Sequence, residues 1–195
     1  MMGRTPCLLI LLGIAPMALP APVSYEIDPN HTHPMFETDH FDGLSTWRGI
    51  FRKTTGTVIV DASASKGSID IVIDMASVDF GLDKLNDIAV NSAAPAIFEA
   101  AKYPVAHYAG TLEQFVGSSP HAVIGMLTMH GVTRPLSLRI DSFKCMVNPL
   151  NKHEVCGAEA SADLDRSEFG ITVGRPYGFR MNVHLRIQVE AIRVD

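Results

Sequence analysis

The sequence predicts one mainly β domain of antiparallel strands, arranged either as a sandwich or as a closed barrel. Three runs show the period of two that is typical of half-buried strands: in Leu136 to Ile140, Ile69 to Met75 and Val183 to Ala191, apolar residues alternate with mostly polar ones. Strands with one apolar face must share an interior. A chain of 195 residues, 47% of them hydrophobic, suits a single domain of this kind.

Residues 1–21 are expected to form a signal peptide that is removed, which leaves a domain over 22–195. Arg4 precedes an almost wholly apolar run from Cys7 to Met17, and small residues follow from Ala18 to Ala21. The run is too short for a membrane span, which needs about 20 residues. The alternative is a buried or membrane-anchoring helix. We expect the mature protein to be a soluble periplasmic domain.

The first part of the mature chain should contain short strands separated by turn residues. The Asp42-Gly43 pair predicts a turn, and a loop of small and polar residues separates the last two segments as in a hairpin. The five expected segments are Tyr25 to Pro29, Met35 to Glu37, Trp47 to Phe51, Thr57 to Asp61 and Ser68 to Ser77.

The pattern from Asp83 to Ala101 becomes helical, in two pieces. Leu85, Ile88 and Ala89 share one helical face. Ile97, Phe98 and Ala101 share another, with Pro95 at the start of the second piece. The sequence therefore predicts two short helices, which end before Tyr103-Pro104.

Longer strands follow the helical region. His130 to Pro135 contains a glycine, two β-branched residues and a proline, which predicts the turn of a hairpin between two of these strands. The expected strands are Val105 to Phe115, His121 to Met129, Thr133 to Lys144, Lys152 to Asp165 and Arg180 to Arg193.

Cys145 and Cys156 are the two cysteines that remain once Cys7 leaves with the leader, an even number suited to an oxidising compartment. The residues from Asn148 to Asn151 are typical of a turn. A hairpin that turns between Leu150 and Asn151 places the two cysteines directly opposite each other. Opposed strand residues lie about 4.5 to 5.5 Å apart at Cα, within the range of a disulfide. We therefore favour a structural disulfide over a free pair.

The strand after Gly157 indicates an internal space. Ala158, Ala160, Ala162 and Leu164 alternate with polar residues and should face inward. Small inward residues in an eight-stranded barrel leave room for one small ligand. The equal alternative is that aromatic side chains or a helix fill this internal space.

Little else in the sequence points to chemistry. The net charge is −5 with scattered acids, which excludes a nucleic-acid partner. No Gly-x-Ser-x-Gly, Cys-His pair or phosphate loop is present. His31, His33 and His40 are close in sequence and are candidates for a zinc or copper site, although Pro34 follows directly and no acidic or thiolate ligand lies at tight spacing.

Six motifs together resemble the YceI-like family of small exported bacterial proteins and cover nearly the whole mature chain. In order they are Tyr25-x-Ile27-Asp28-Pro29-x-His31-Thr32-x3-Phe36, His40-x2-Gly43-x5-Gly49-x-Phe51, Ser77-Val78-Asp79, Lys102-Tyr103-Pro104, Gly125-x-Leu127-Thr128-x2-Gly131-Val132-Thr133-Arg134-Pro135-Leu136 and Arg166-Ser167-x-Phe169-Gly170. The chain departs from the family pattern at Phe80, where threonine is common, and at Leu85-Asn86-Asp87.

The resemblance implies an antiparallel, lipocalin-like β-barrel of about eight strands with a short helical lid, holding a polyisoprenoid, an isoprenoid quinone or a similar long-chain lipid. The candidate pocket residues are also candidates for a simple core: Phe36, Trp47, Phe51, Ile71, Ile73, Phe98, Tyr108, Met126, Leu138, Ala160, Phe169 and Leu185.

We therefore expect a periplasmic carrier or sequestering protein that is not an enzyme and needs no cofactor, its partner being the lipid itself. Transient contact with the inner membrane and a homodimer are left open. One alternative is a metal- or quinone-dependent redox accessory or enzyme that uses His31, His33 and His40. The other is a structural protein whose barrel is filled with side chains.

Overall fold

The computed structural model describes residues 21–91 and 97–194. The expected leader, apart from its last residue, and Pro95 lie outside these ranges. The strands are β1 (Val23–Ile27), β2 (His33–His40), β3 (Ser45–Phe51), β4 (Thr54–Asp61), β5 (Lys66–Asp74), β6 (Val78–Asp79), β7 (Val105–Glu113), β8 (Ala122–Met129), β9 (Val132–Val147), β10 (Glu154–Asp165) and β11 (Asn182–Arg193), and the one α-helix in the described ranges is α1 (Asp83–Asn91).

The strands form a closed antiparallel barrel, as the resemblance implied. The ring runs β1-β4-β5-β7-β8-β9-β10-β11 and closes where β1 pairs with the end of β11. The first part of β11 pairs instead with β2, which continues to β3 and β6. Three of the eight strand positions are thus each filled by two consecutive segments: β1 with β2, β3 with β4, and β5 with β6. The sandwich alternative is excluded.

The barrel has two unlike ends. The hairpin end consists of the turns at 62–65, 114–121 and 148–153. The lid end consists of α1, residues 97–104, the turn at 130–131 and the irregular segment 166–181, which contains two short 3-10 turns. A third 3-10 turn, Met75–Ser77, interrupts the strand position that β5 and β6 share, where the sequence predicted one strand continuing to Ser77.

The turn between β8 and β9 is tighter than predicted. Met129 pairs with Val132, so His130 and Gly131 alone form the loop, both with positive φ. A two-residue loop of this geometry matches the twist of the flanking strands. Pro135 therefore lies within β9. Before Arg139, the described residues of β9 pair with β8 alone. The N–H that proline lacks is therefore not needed for a hydrogen bond to β10.

The helical region holds one helix rather than two in the described residues. α1 buries Ala89 completely and begins two residues before the predicted face at Leu85. Ile97, Phe98 and Ala101 form bends and turns, so the second predicted helix is wrong over these residues. The backbone N–H of Phe98 donates to the carbonyl of Ala89 at 3.0 Å, which ties this segment to α1. No helix in the described ranges is long and apolar enough to cross a membrane.

The predicted disulfide is present at the hairpin end. Cys145 pairs directly with Cys156 across β9 and β10, and the two sulfurs are bonded. Nearby, the Tyr25 hydroxyl donates to Glu154 at 2.7 Å, and Arg193 forms an ion pair with the same carboxylate. These contacts join β1, β10 and β11 where the barrel closes.

Candidate functional site

An apolar cavity runs along the barrel axis, with a volume of about 270 Å³. At the hairpin end its wall includes Tyr25, Val60 and Cys156, and at the lid end it includes Trp47 and Arg166. An engineered protein cavity of about 150 Å³ accommodates benzene. The barrel interior is therefore a hollow large enough for a ligand, and it is not filled by side chains.

Most of the residues predicted to line a pocket do so. Inward positions alternate along each strand, and the two alanines Ala158 and Ala160 face the cavity as expected, whereas Ala162 does not border it. The predicted residues that line the cavity are Phe36, Trp47, Phe51, Ile71, Ile73, Phe98, Tyr108, Leu138, Ala160 and Leu185.

Met126 and Phe169 were wrongly predicted as pocket residues. Met126 is 46% exposed on the outer face of β8, because its neighbours Gly125 and Leu127 take the inward positions. Phe169 is 2% exposed but lies in the 3-10 turn after β10, where it belongs to the core and does not border the cavity. The backbone carbonyl of Phe169 is 3.0 Å from Nδ1 of His130, and this hydrogen bond anchors the β8–β9 turn.

Aromatic rings cover the cavity at the lid end. Phe36 lies 5.6 Å from Phe51, 5.4 Å from Phe80 and 6.2 Å from Phe98, measured between ring centroids. Phe80, which departs from the family pattern, thus adds a ring to the wall. No side chain of α1 borders the cavity, so within the described residues the segments on either side of the helix, through Phe80, Ile97 and Phe98, form the lid.

Phe80 is fixed by the second departure from the family pattern, at Asn86. The Asn86 side chain accepts from the backbone N–H of Phe80 at 2.8 Å and donates to Asp79 at 3.1 Å. Asp79 also accepts from Gly81 N and Arg52 Nε. These bonds to its charged form, led by that from Gly81, lower the pKa of Asp79 to about 2.

Few polar groups reach the cavity, and most are paired. Tyr108 donates its hydroxyl to the carbonyl of Leu136 at 2.8 Å, and burial raises its pKa. Thr32 exchanges hydrogen bonds with the backbone of Glu190. Thr54, 1% exposed, has no partner for its hydroxyl among the described residues. The wall is thus apolar along most of its length.

The exception is the lid end, where sequence reasoning missed a buried cation. Arg166 is 9% exposed and borders the cavity. Its terminal nitrogens donate to the carbonyls of Ile171 at 3.0 Å and Val173 at 2.7 Å. Burial lowers its pKa, since the charged form is desolvated. The sequence offered one signal for this buried cation: a charged residue directly follows the alternating strand β10.

The three histidines of the metal alternative are not brought together. His31 binds Asp28 at 2.8 Å in the loop before β2, and this contact raises the pKa of His31. His40 lies at the other end of β2, stacked on Trp47 at 4.0 Å. The one group of potential ligands that converges in the described residues is Cys145, Glu154 and Cys156, whose sulfurs form the disulfide. The structure therefore gives the predicted histidine site no geometric support.

Comparison with known proteins agrees with the barrel and its cavity. The family model described as the YceI-like domain matches residues 25–191. The protein belongs to the YceI-like family. A UPF0312 protein of Pseudomonas putida strain GB-1 is 29% identical to this YceI-like chain over an alignment of 179 residues that covers 87% of this chain and 86% of that protein. A UPF0312 protein of Vibrio cholerae is 27% identical over 172 residues, 87% of each chain.

Solved structures share the YceI-like fold at lower identity. BcnA of Burkholderia cenocepacia superposes with a TM-score of 0.63 at 19% identity, over 84% of this chain and 98% of that one. A polyisoprenoid-binding domain from Saccharophagus degradans gives a TM-score of 0.62 at 16% identity, over 88% of this chain and 99% of that one. These similarities establish the architecture around the cavity.

Proposed function

We propose that this YceI-like protein carries or sequesters a polyisoprenoid, an isoprenoid quinone or a similar long-chain lipid, and catalyses no reaction. The observation that carries the proposal is the apolar cavity of about 270 Å³ that extends from Cys156 at the hairpin end to Arg166 at the lid end. The structurally similar domain from Saccharophagus degradans is a polyisoprenoid-binding domain, which supports the same class of ligand.

The energetics suit reversible binding. If about 150 Å³ accommodates the six carbons of benzene, the present cavity encloses about ten carbons, or two isoprene units. At about 0.8 kcal/mol for each buried methylene, the gross gain is about 8 kcal/mol. Association and chain-ordering costs reduce this value, so the tail alone supports weak to micromolar binding. A carrier must release its lipid, and such an affinity permits release.

We also propose that the protein is exported to the periplasm through its leader and that residues 1–21 are then removed. The basis is the sequence pattern of the leader together with the disulfide between Cys145 and Cys156, which suits an oxidising compartment. Amino-terminal sequencing of protein recovered from a periplasmic extract should begin near Pro22, and a product that retains Met1 in the cytoplasm contradicts the proposal.

The main test is extraction of the bound ligand. Protein purified without detergent from its native host is extracted with organic solvent, and the extract is analysed by mass spectrometry. We expect a prenyl lipid or quinone in stoichiometric amount, and reloading of the stripped protein with the same lipid. A clean extract combined with no uptake of added prenyl lipids overturns the carrier function.

A further inference from the structure

We propose that the lid end of the cavity binds the carbonyl oxygen of an uncharged lipid headgroup, with Nε of Arg166 as the hydrogen-bond donor. This inference rests on the proposed lipid-carrier function and adds to it the chemistry of the headgroup. It starts from three polar residues that border the cavity at this end: Arg166, Thr38 and Asp39.

Arg166 is held with one donor unused. Its two terminal nitrogens are occupied by the carbonyls of Ile171 and Val173, which fixes the plane of the guanidinium. The remaining donor, Nε, is buried and has no partner among the described residues. A buried donor without an acceptor is costly, and the cost is greater for a charged group. A ligand oxygen at this position satisfies it.

Thr38 lies at the same end of the barrel and is also unsatisfied. It pairs with Val183 near the start of β11, while the backbone N–H of Arg166 donates to Met181, two residues earlier. Thr38 and Arg166 therefore flank the first residues of β11 from opposite sides. The Thr38 hydroxyl is buried and has no partner in the part of the chain that the structure describes. It supplies a second polar contact for a headgroup.

Asp39 makes an anionic headgroup unfavourable. Its carboxylate accepts from the backbone N–H of Arg180 at 3.0 Å, and this bond lowers the pKa of Asp39, so the group is ionised at neutral pH. An anionic phosphate or carboxylate beside Asp39 meets a like charge. A neutral carbonyl accepts from Arg166 without that repulsion.

The surrounding wall fits a flat carbonyl-bearing group. Trp47 and Phe179 border the cavity at this end. His40 stacks on Trp47 at 4.0 Å and meets Phe179 edge-on at 5.0 Å, so it holds both rings in place. Aromatic faces accommodate planar conjugated groups by offset stacking. Amides and quinone rings belong to this class, and a simple ketone shares their carbonyl acceptor.

The test compares headgroups on ligands that share the farnesane carbon skeleton, with the stripped protein and Trp47, the single tryptophan of the chain, as fluorescent reporter. The probes are farnesylacetone, farnesyl monophosphate and the hydrocarbon farnesane. We expect farnesylacetone to bind roughly tenfold or more tightly than farnesane, because one hydrogen bond from a charged donor is gained. Farnesyl monophosphate should bind less tightly than farnesylacetone.

Two variants separate the contributions. Arg166→Lys places a methylene where Nε stood, while its ammonium can still reach the Ile171 and Val173 carbonyls. It should lose the preference for farnesylacetone and keep its affinity for farnesane. Asp39→Asn, whose side-chain oxygen can still accept from Arg180, should gain affinity for farnesyl monophosphate.

Equal binding of farnesylacetone and farnesane by the unmodified protein overturns the headgroup site and leaves the carrier function intact. Tightest binding of farnesyl monophosphate also overturns it. Failure to bind any of the three probes overturns the carrier function itself. These readings on the unmodified protein decide the proposal even if Arg166→Lys does not fold.

Discussion

The ring of Phe36 lies against the backbone of Gly49, its cross-strand partner on β3. A methyl group placed on Gly49 would lie 2.4 Å from Cζ of Phe36, closer than two carbon atoms can approach. Phe36 is also the centre of the aromatic group at the lid end, in contact distance of Phe51, Phe80 and Phe98. The glycine thus fixes the position of a ring that borders the cavity.

We predict that Gly49→Ala destabilises the protein by about 1–3 kcal/mol, the usual cost of overpacking a core. It should also weaken binding of a prenyl ligand, since Phe36 must move. The measurement is urea unfolding together with a ligand titration. Gly157→Ala is the control, because a methyl at this strand position lies on the side of Glu190, meets nothing closer than 3.7 Å and should be nearly neutral. Equal effects of the two substitutions contradict the role of Phe36.

Filling the cavity should abolish binding without loss of the fold. Ala160 borders the cavity at mid-strand on β10, and Ala160→Phe adds a ring in the space that the ligand would occupy. We expect ligand affinity to fall more than about tenfold, because several buried carbons are displaced at about 0.8 kcal/mol each. Glu159→Phe adds the same ring to the outer face and should leave binding unchanged. The copurified lipid, measured by mass spectrometry, should be absent from Ala160→Phe alone.

The tail length that the cavity encloses is also measurable. In a series of prenol, geraniol, farnesol and geranylgeraniol, affinity should rise from prenol to geraniol, which has about ten carbons, and then flatten, since the cavity of about 270 Å³ holds no more. Titration of the stripped protein with these prenols gives the curve. A steady rise through the longest prenol would show that the segment at Ile97 and Phe98 moves to admit more chain.

The β10 strand shows how much the sequence could predict. Glu159 and Asp163 alternate with alanines, so the inward face was clear, and the opposed cysteines were correctly paired. In β8, Val123 to Leu127 is apolar on both faces, and the pattern could not separate Met126 from its neighbours. The signal lay in the turn. A two-residue loop at His130-Gly131 pairs Gly125 with the inward-facing Leu136 and so directs Met126 outward.

The polar end of the cavity left one signal in the sequence, the charged residue Arg166 directly after β10. Thr38 and Arg166 lie far apart in the chain, and the sheet places them on opposite sides of the start of β11. A threonine on an inward face resembles valine in any hydrophobic pattern, so neither it nor Arg166 marks a pocket by spacing. The second helix was wrong for a different reason: Ile97 and Phe98 are apolar because they pack against the core from bends, and Ala101, the third member of the pattern, is exposed in a turn.

The disulfide should stabilise the hairpin end. The bridge closes a loop with a sequence separation of 11, and loop-entropy arguments give about 3 kcal/mol for a loop near this size. Cys145 is exposed, so a reductant can reach the bond. We expect dithiothreitol to lower the free energy of unfolding by about that amount. The double variant Cys145→Ser with Cys156→Ser should match the reduced protein and show no further response to reductant, whereas a response would locate the effect elsewhere.

Acid should loosen the lid end through Asp79. Its folded pKa of about 2 lies below the ordinary 3.8, so its stabilising contribution is complete above pH 3.8 and is lost as the pH falls towards 2. Because Asp79 holds Asn86, which in turn holds Phe80, protonation weakens the contact between β6 and α1. Asp79→Asn should lower the urea midpoint at pH 7 and flatten its decline between pH 4 and pH 2. Glu159→Gln, which neutralises an exposed carboxylate on β10, controls for net charge and should keep the steep decline. Parallel curves for the unmodified protein and Asp79→Asn would show that other carboxylates govern the acid response.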